Sequence, residues 1–429
     1  MNTASRPLVR PLFRTLEPSA TLAINEKSIA LEASGHRPVK LGLGQSPFPV
    51  PEHIIERLRS VASEKDYLPV QGLMELRASI CDWHRRHHDL HFEPEQIIIG
   101  PGSKELLYLL QLVSDTETYL PNPSWVSYAP QQRMTGRAAH WVHTDVDSQF
   151  MLTANCLDST LTGKQHRPLL ILNSPSNPVG RMVLADELQR ICEVMRSHEG
   201  IIVSDEIYGG VAFGAPHVSP AQYYAEGTIV SGGLSKWCGA GGWRLGYMAF
   251  PKRLNPLLKA MCSAASETFT SVSAPIQYAA IAAYEPNPQT DTYLTHSQRV
   301  LRLTVPRFQQ ALDQFGIRAP APQGGFYLFA DFSEHRDTLA KRSIYDDKTL
   351  CEHILDHAGV AMLPGQCFGR QPSELLTRMS IVDFDGAHAL KLSATIQDDQ
   401  RLAEALAQAN PALTNAPSKI GDWLNELGS

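Results

Sequence analysis

The sequence predicts an α/β protein: a large domain on a mostly parallel β-sheet covered by helices on both faces, with a smaller α+β domain beside it. Three observations predict it. Short, wholly apolar runs such as "QIIIG" (96–100) and "PLLIL" (168–172) alternate with stretches of helical periodicity from about residue 95 to about 290, as expected of parallel strands buried on both faces. Beyond about 290 the texture changes to one long helical stretch followed by separated strand-like runs. The length of 429 residues, with 43% hydrophobic and 19% charged residues, supplies enough core for a large body and a smaller companion. The expected boundaries are an N-terminal arm and part of the small domain in 1–50, the large domain in 51–300, and the C-terminal small domain in 301–429.

In chain order, "PSATLAINEKSIALEASG" (18–35) has helical periodicity and stops at Gly35. "VKLGLGQSPFPVPEHI" (39–54) is a short strand and a Gly/Pro-rich loop. "QIIIGPGSKELLYLLQLV" (96–113) reads as strand, glycine turn and amphipathic helix. Strands follow in "ETYLPNPSWVSYAP" (117–130), "PLLILNSPSNPVG" (168–180), "GIIVSDEIYGGVAFG" (200–214) and "GTIVSGGLSK" (227–236). A long helix over about 291–316 leads to strand-like runs at 323–332, 360–369 and 376–385. The N-terminal segment is expected to pack with these late elements, because the main sheet begins only near residue 95.

Bulk properties exclude several classes. The net charge of -6 and the lack of a long basic block argue against a nucleic-acid partner. No apolar run approaches the ~20 residues that span a bilayer, so no membrane association is expected. The seven cysteines are scattered, odd in number and never spaced as CxxC, which points to a reducing, cytoplasmic setting and no metal site. Arg6, Arg10 and Arg14 precede the first acid, Glu17, a faint likeness to a transit peptide; a flexible arm is the plainer reading.

Ligands of open parallel sheets bind outside the carboxyl ends of the strands. The residues following each predicted strand are therefore informative. Gly102, Ser103 and Lys104 sit between a strand and a helix, where exposed backbone N–H groups suit a phosphate, although Gly-rich turns of this kind are common. Trp125 alone reads as core or as a stacking platform. Asp205, at the end of "IIVS", reads as a helix cap or as a carboxylate facing a cationic ring nitrogen. Tyr208, three residues on, falls on the same side of a helical turn. Asn177 lies in an Asn-Pro turn signal. Lys236 is the hardest to place structurally: it directly follows a buried strand among small residues, where an amine loses basicity and becomes nucleophilic. Arg244, eight positions later in "GGWRLGY", suits a phosphate. One ligand satisfies all of them, a planar, phosphorylated pyridine aldehyde. Lys236 forms the Schiff base, Asp205 pairs with the ring nitrogen, Tyr208 and Asn177 hold the ring hydroxyl, and Trp125 stacks. Gly102, Ser103, Lys104 and Arg244 take the phosphate.

The blocks "PSATLAI", "YLPVQGLMELR", "NPSWVSY", "NSPSNPVG", "VSDEIYGGVAF", "LSKWCGAGGWRLGY", "GGFYLF" and "PGQCFG" occur in one order. In that order the sequence resembles the class I/II aminotransferases of fold type I, the aspartate-aminotransferase-like branch, from about residue 16 to about 385. The resemblance implies a seven-stranded-type sheet in a large domain that binds pyridoxal 5'-phosphate. It implies Lys236 as both the cofactor's anchor and the base that moves the α-proton, with Asp205 and Tyr208 as catalytic partners. It also implies that Arg378 in "TRMS" grips the substrate α-carboxylate, with Gly44 in "LGLGQS", Trp125 and Asn177 beside the substrate. Tyr67 in "DYLPVQG" is implied to reach the cofactor phosphate of a neighbouring subunit, in a homodimer with shared sites.

Departures from the family pattern are visible. A hydroxyl residue often stands three before the lysine; here it is Gly233, leaving Ser231 or Ser235 as replacements. The usual "MTGWR" is "GAGGWR". Two acids follow Arg378, and the tail "NAPSKIGDWLNELGS" lies beyond the match.

The implied reaction is ping-pong transfer of an amino group from an L-amino acid to a 2-oxo acid. The same scaffold also supports lyase, cyclase and oxidase chemistry, and more remotely a ligand-sensing role without turnover. No second arginine stands out to mark a dicarboxylate substrate.

Overall fold

The computed structural model describes residues 8–428 other than 17, 19 and 36. Arg6 and Glu17, on which the arm and transit readings partly rest, lie outside the described residues.

The large sheet has seven strands: β2 (Ile97–Gly100), β3 (Glu117–Asn122), β4 (His140–His143), β5 (Pro168–Asn173), β6 (Ile201–Asp205), β7 (Thr228–Gly233) and β8 (Gly246–Ala249). Their order is β2-β8-β7-β6-β5-β3-β4. From β4 to β7 every neighbour is parallel, whereas β8 runs antiparallel to both β7 and β2. The apolar runs read as strands are buried along their length: Ile97, Ile98 and Ile99 have no exposed surface. That is the consequence of helices covering both faces.

Two of these strands escape a reading of apolar runs. β4, "HWVH", is an edge strand with only Val142 buried. β8, "GYMA", is four residues long and emerges from the glycine-rich loop after Lys236.

A second group of strands forms the smaller unit. β9 (Tyr327–Asp331), β11 (Leu363–Pro364) and β12 (Leu376–Ser380) make an antiparallel sheet in the order β11-β12-β9. β1 (Val39–Lys40) pairs in parallel with β10 (Val360–Ala361), so the N-terminal segment does pack with the late elements. The strand-like run at 360–369 is split into two short strands, and the run at 376–385 ends at Ser380. The long helix spans Pro288–Asp313, beginning slightly earlier than its periodicity indicates because Asn287 caps it through the Gln289 N–H. The final helix, Ala416–Gly428, buries Ile420, Trp423 and Leu424, which gives the C-terminal tail a packed place.

This topology positions the site. Asn173, Asp205 and Gly233 end β5, β6 and β7 at one edge of the sheet, and β2 ends there at Gly100. Gly100 and Gly233 both register with Gly246 of β8, forming a row of three glycines. A Cβ on Gly246 would stand 2.3 Å from the Ser103 backbone nitrogen. The missing side chain lets the helix Ser103–Val113 press its N-terminus onto the sheet.

Candidate active site

Lys236 stands three residues beyond the end of β7. Its ammonium donates to the Gly44 carbonyl at 2.6 Å and lies 5.7 Å from the centre of the Tyr208 ring. Burial, then the nearby Arg378 and Arg244 charges, lowers its pKa to about 8, against a smaller opposing pull from Asp205. An amine in this state is available uncharged near neutral pH, as a nucleophile or proton acceptor requires.

Asp205 ends β6 and is 3% exposed. Burial pushes its carboxyl up to about 6, while the Tyr128 hydroxyl and the Ile207 N–H pull the other way. Tyr128 donates to Oδ2 at 2.6 Å. Asn173 fixes the backbone here: its Nδ2 donates to the Asp205 carbonyl at 2.8 Å, and its Oδ1 accepts from the Asn177 N–H at 2.7 Å.

Tyr208 is buried, with its hydroxyl 2.7 Å from that of Tyr327 and 3.5 Å from Asn177 Nδ2. Asn177 Oδ1 is buried without a hydrogen-bond partner. Arg378, on β12, is 1% exposed. Its guanidinium lies 4.9 Å from the centre of the Tyr327 ring and 5.4 Å from that of Phe368. Its Nη2 donates to the Gly42 carbonyl, while Nε is buried without a partner. A Cβ on Gly44 would sit 2.0 Å from the Tyr327 hydroxyl, so only glycine lets this loop pass.

The phosphate-type cradle is built at the N-terminus of the helix Ser103–Val113. Gly102 precedes it with φ 88°, and a Cβ there would meet Arg244 Nη2 at 2.4 Å. Arg244, itself left-handed at φ 55°, is steered by hydrogen bonds to the Gly241 and Pro101 carbonyls. Trp125 packs edge-on against Tyr128, and the Lys104 ammonium lies 5.5 Å from the centre of its ring.

One cavity of about 320 Å3 gathers the predicted residues. Lys236, Asp205, Tyr208 and Asn177 line it; so do Ser103, Lys104, Trp125 and Arg244, and Gly44 and Arg378 close it. Gly102 stands beneath Arg244. Tyr67, like Gly102, does not line the cavity of its own chain; it is 90% exposed. Of the two serines weighed as replacements for a hydroxyl at Gly233, Ser235 lines the cavity and Ser231 is buried within β7. Asn173 follows a predicted strand and so is expected at this edge, though with no role of its own, and it lines the cavity; Tyr128 and Tyr327 are not found from sequence. Tyr128 was detectable as the residue three after Trp125 on the same turn; Tyr327, on a strand about 120 residues from Tyr208, gave no local signal.

The residues fit a flat, phosphorylated pyridine aldehyde. Nε of Arg378 and Oδ1 of Asn177 are buried polar atoms without a partner among the described residues, and Asp205 offers a carboxylate that a cationic nitrogen would keep ionised. Gly102, the helix N-terminus and Arg244 suit a phosphate dianion. Lys236 supplies the amine.

Comparison with known proteins agrees. The family model described as aminotransferase class I and II matches residues 37–384. The aspartate aminotransferase of Geobacillus stearothermophilus is 35% identical over 378 residues, covering 86% of this chain and 94% of that protein. An aspartate/prephenate aminotransferase of Cereibacter sphaeroides is 30% identical over 373 residues, 83% of this chain and 91% of that protein. Among solved structures, the aspartate aminotransferase from Thermus thermophilus with maleate superposes with a TM-score of 0.80 at 28% identity, covering 96% of this chain and all of that one.

Proposed function

The chain belongs to the class I and II aminotransferases, and from that premise we propose how its own residues divide the work. The enzyme depends on pyridoxal 5'-phosphate and moves an amino group from an amino acid to a 2-oxo acid in two half-reactions. When bound, the cofactor supplies an aldehyde carbon for the amino group and a protonated ring that draws electrons from the substrate Cα–H bond.

Lys236 would anchor the cofactor through its amine, and the same amine, when free, would be the base that takes the proton from the substrate Cα. Asp205 stays ionised against the ring nitrogen and so keeps it protonated. Tyr208 and Asn177 hold the ring oxygen, and Trp125 covers one face of the ring. The Gly102 turn, Ser103, Ser235 and Arg244 hold the phosphate. Arg378 takes the substrate α-carboxylate, with Nε as one of its donors and the Gly44 backbone alongside. The observation that carries this reading is the Lys236 amine itself: 2.6 Å from Gly44, lowered to about 8, and lining the same cavity as Asp205 and Arg378.

Tyr67, exposed in the single chain, serves the phosphate of a partner copy, so the working unit is a homodimer. Its setting is cytoplasmic; no helix among the described residues is long and apolar enough to cross a membrane. The donor is an acidic amino acid of the aspartate type. Lys104 is the cation lining the cavity beyond Lys236, Arg244 and Arg378, and it faces a distal carboxylate, a role that shifts it from phosphate ligand to substrate ligand.

The test uses the loaded enzyme with an amino donor alone. One equivalent of 2-oxo acid per site, then arrest until a 2-oxo acid is added, is the expected result. Continuous release of ammonia or uptake of oxygen would assign a lyase or oxidase instead. Lys104→Gln should lower kcat/KM for aspartate about tenfold, the loss of one charge-assisted bond, and leave that for alanine unchanged.

A further inference from the structure

A second cavity, of about 580 Å3, shares no lining residue with the active site. It is nevertheless lined by Glu206 and Trp237, the residues that follow Asp205 and Lys236 in the chain. Successive residues at the ends of β6 and β7 thus serve two separate cavities.

Its walls are aromatic. Trp83 and Trp237 stack with ring centres 5.2 Å apart, and Tyr247 holds His84 Nε2 through its hydroxyl at 2.9 Å. Its polar atoms are buried and incompletely used. Glu206 Oε1 accepts from Ser204 and Ser219, but Oε2 has no aligned hydrogen bond; His217 Nε2 lies 3.0 Å from it, off the line of one. His84 Nδ1 and His88 Nδ1 also lack partners. The active site carries the same signature at Asn177 and Arg378, where a ligand is due.

The charges select the kind of ligand. Among the described residues, Glu206 is the only Asp, Glu, Lys or Arg lining this cavity. Burial opposes its ionisation, but His217, followed by His88 and Ser219, outweighs burial and holds its carboxyl down at about 2. Burial, reinforced by neighbouring histidines, pushes His84 down to about 3 and His88 to about 4, so both imidazoles are neutral. An anion would face the Glu206 carboxylate. A purely apolar ligand would leave the carboxylate oxygen and imidazole nitrogens unsatisfied. A bare metal ion does not fit either: no three His, Cys, Asp or Glu side chains among the described residues are placed to hold one.

We propose that this cavity binds a small organic cation with a flat apolar body and several N–H donors, an amidinium or guanidinium. Glu206 Oε2 and the free nitrogens of His84 and His88 accept its hydrogens, and Trp83, Trp237 and Tyr247 pack on its body, where a cation gains from the ring faces.

The test is calorimetric titration of the cofactor-loaded enzyme with benzamidinium, following the cofactor absorbance in parallel. Expected are one site per chain, a Kd below about 1 mM, and an unchanged absorbance, which places the probe away from Lys236. Glu206→Gln should weaken binding at least about tenfold. Because that variant alters a buried carboxylate that touches His217, Ala215→Trp provides a second check: residue 215 is exposed and lines the cavity, so tryptophan there should block the probe in a folded enzyme. No binding up to about 10 mM, equal affinity for benzoate, an absorbance change that tracks the heat, or wild-type affinity in both variants would overturn the proposal. Stoichiometric uptake of Zn2+ without any uptake of benzamidinium would assign the cavity to a metal and overturn it as well.

Discussion

Tyr128 donates its phenolic hydrogen to Asp205 Oδ2 at 2.6 Å, between two buried side chains that stand 77 positions apart in the chain. The bond works against burial: burial drives the Asp205 carboxyl up to about 6, and the Tyr128 hydroxyl is the largest influence holding it from rising further. Tyr128 thereby keeps ionised the carboxylate that the proposed function sets against the cofactor ring nitrogen. It is a positioning residue, acting on Asp205 rather than on the ring.

Tyr128→Phe deletes that one hydrogen bond and leaves the ring packing against Trp125. A bond to a charged acceptor is worth roughly 1.5–3 kcal/mol. Affinity for pyridoxal 5'-phosphate, titrated on the cofactor-free protein, should therefore fall about 10- to 100-fold. The fall should be larger at pH 6 than at pH 8, since near the Asp205 pKa of about 6 the variant's carboxyl is more often protonated. An unchanged affinity at both pH values would remove Tyr128 from the cofactor's support.

The Lys236 amine makes a prediction of its own. A buried ammonium between Arg378 and Arg244 gives up its proton near pH 8 instead of near the ordinary lysine value. Only the neutral amine attacks an aldehyde. Cofactor uptake by the cofactor-free protein should accelerate through pH 7 to 9, with a midpoint near 8, and level off above it. Removing the Arg378 charge in Arg378→Met takes away a repulsion, so the midpoint should move upward. Rapid-mixing absorbance at a series of pH values reads both. A rate that climbs without a plateau toward pH 10 in the native protein would mean that the cavity does not desolvate Lys236.

Much of this site was legible from the sequence because its parts follow consecutive parallel strands, and every such strand delivers its carboxyl end to one edge. Asn177, Asp205, Lys236 and the Gly102 turn needed no knowledge of how distant elements pack. Arg378 was different. It lies on β12 of the smaller sheet, and bottom-up it reads as an exposed strand charge; only the family resemblance pointed to it, and in the structure it is buried against Tyr327 and Phe368. Tyr327 was not legible at all, because its contact with Tyr208 arises where the two sheets meet. β4 was missed for the opposite reason: an edge strand has one buried residue and no apolar run to announce it. Glu206 follows Asp205 at the end of the same strand, and that position alone predicts that it joins the same crevice; in the structure it lines the second cavity instead.

Gly233 is where sequence and structure diverge most usefully. The family pattern places a hydroxyl residue three before the lysine, and its absence reads as a lost phosphate ligand. In the structure Gly233 lines the second cavity and not the active site, and it pairs with Gly246 of β8. A Cβ there would lie 2.8 Å from the Leu245 carbonyl oxygen and 3.0 Å from Gly246 Cα. Both are backbone atoms in a paired strand and have no rotamer by which to yield. Gly233→Ser should therefore overpack the sheet at a cost of about 1–3 kcal/mol, without reaching the phosphate. Ser235 does line the active-site cavity, so of the two serines it is the one placed to supply the missing hydroxyl. Two measurements separate these positions: thermal unfolding of the cofactor-free protein, and titration with pyridoxal 5'-phosphate. Gly233→Ser should lower Tm and bind the cofactor no more tightly than the native chain. Ser235→Ala should leave Tm of the cofactor-free protein nearly unchanged and weaken cofactor binding by about tenfold, the size of one hydrogen bond to a charged group. If Gly233→Ser instead tightens cofactor binding at an unchanged Tm, then β7 and β8 separate more readily at this edge than their pairing implies, and the serine has regained the family's phosphate contact.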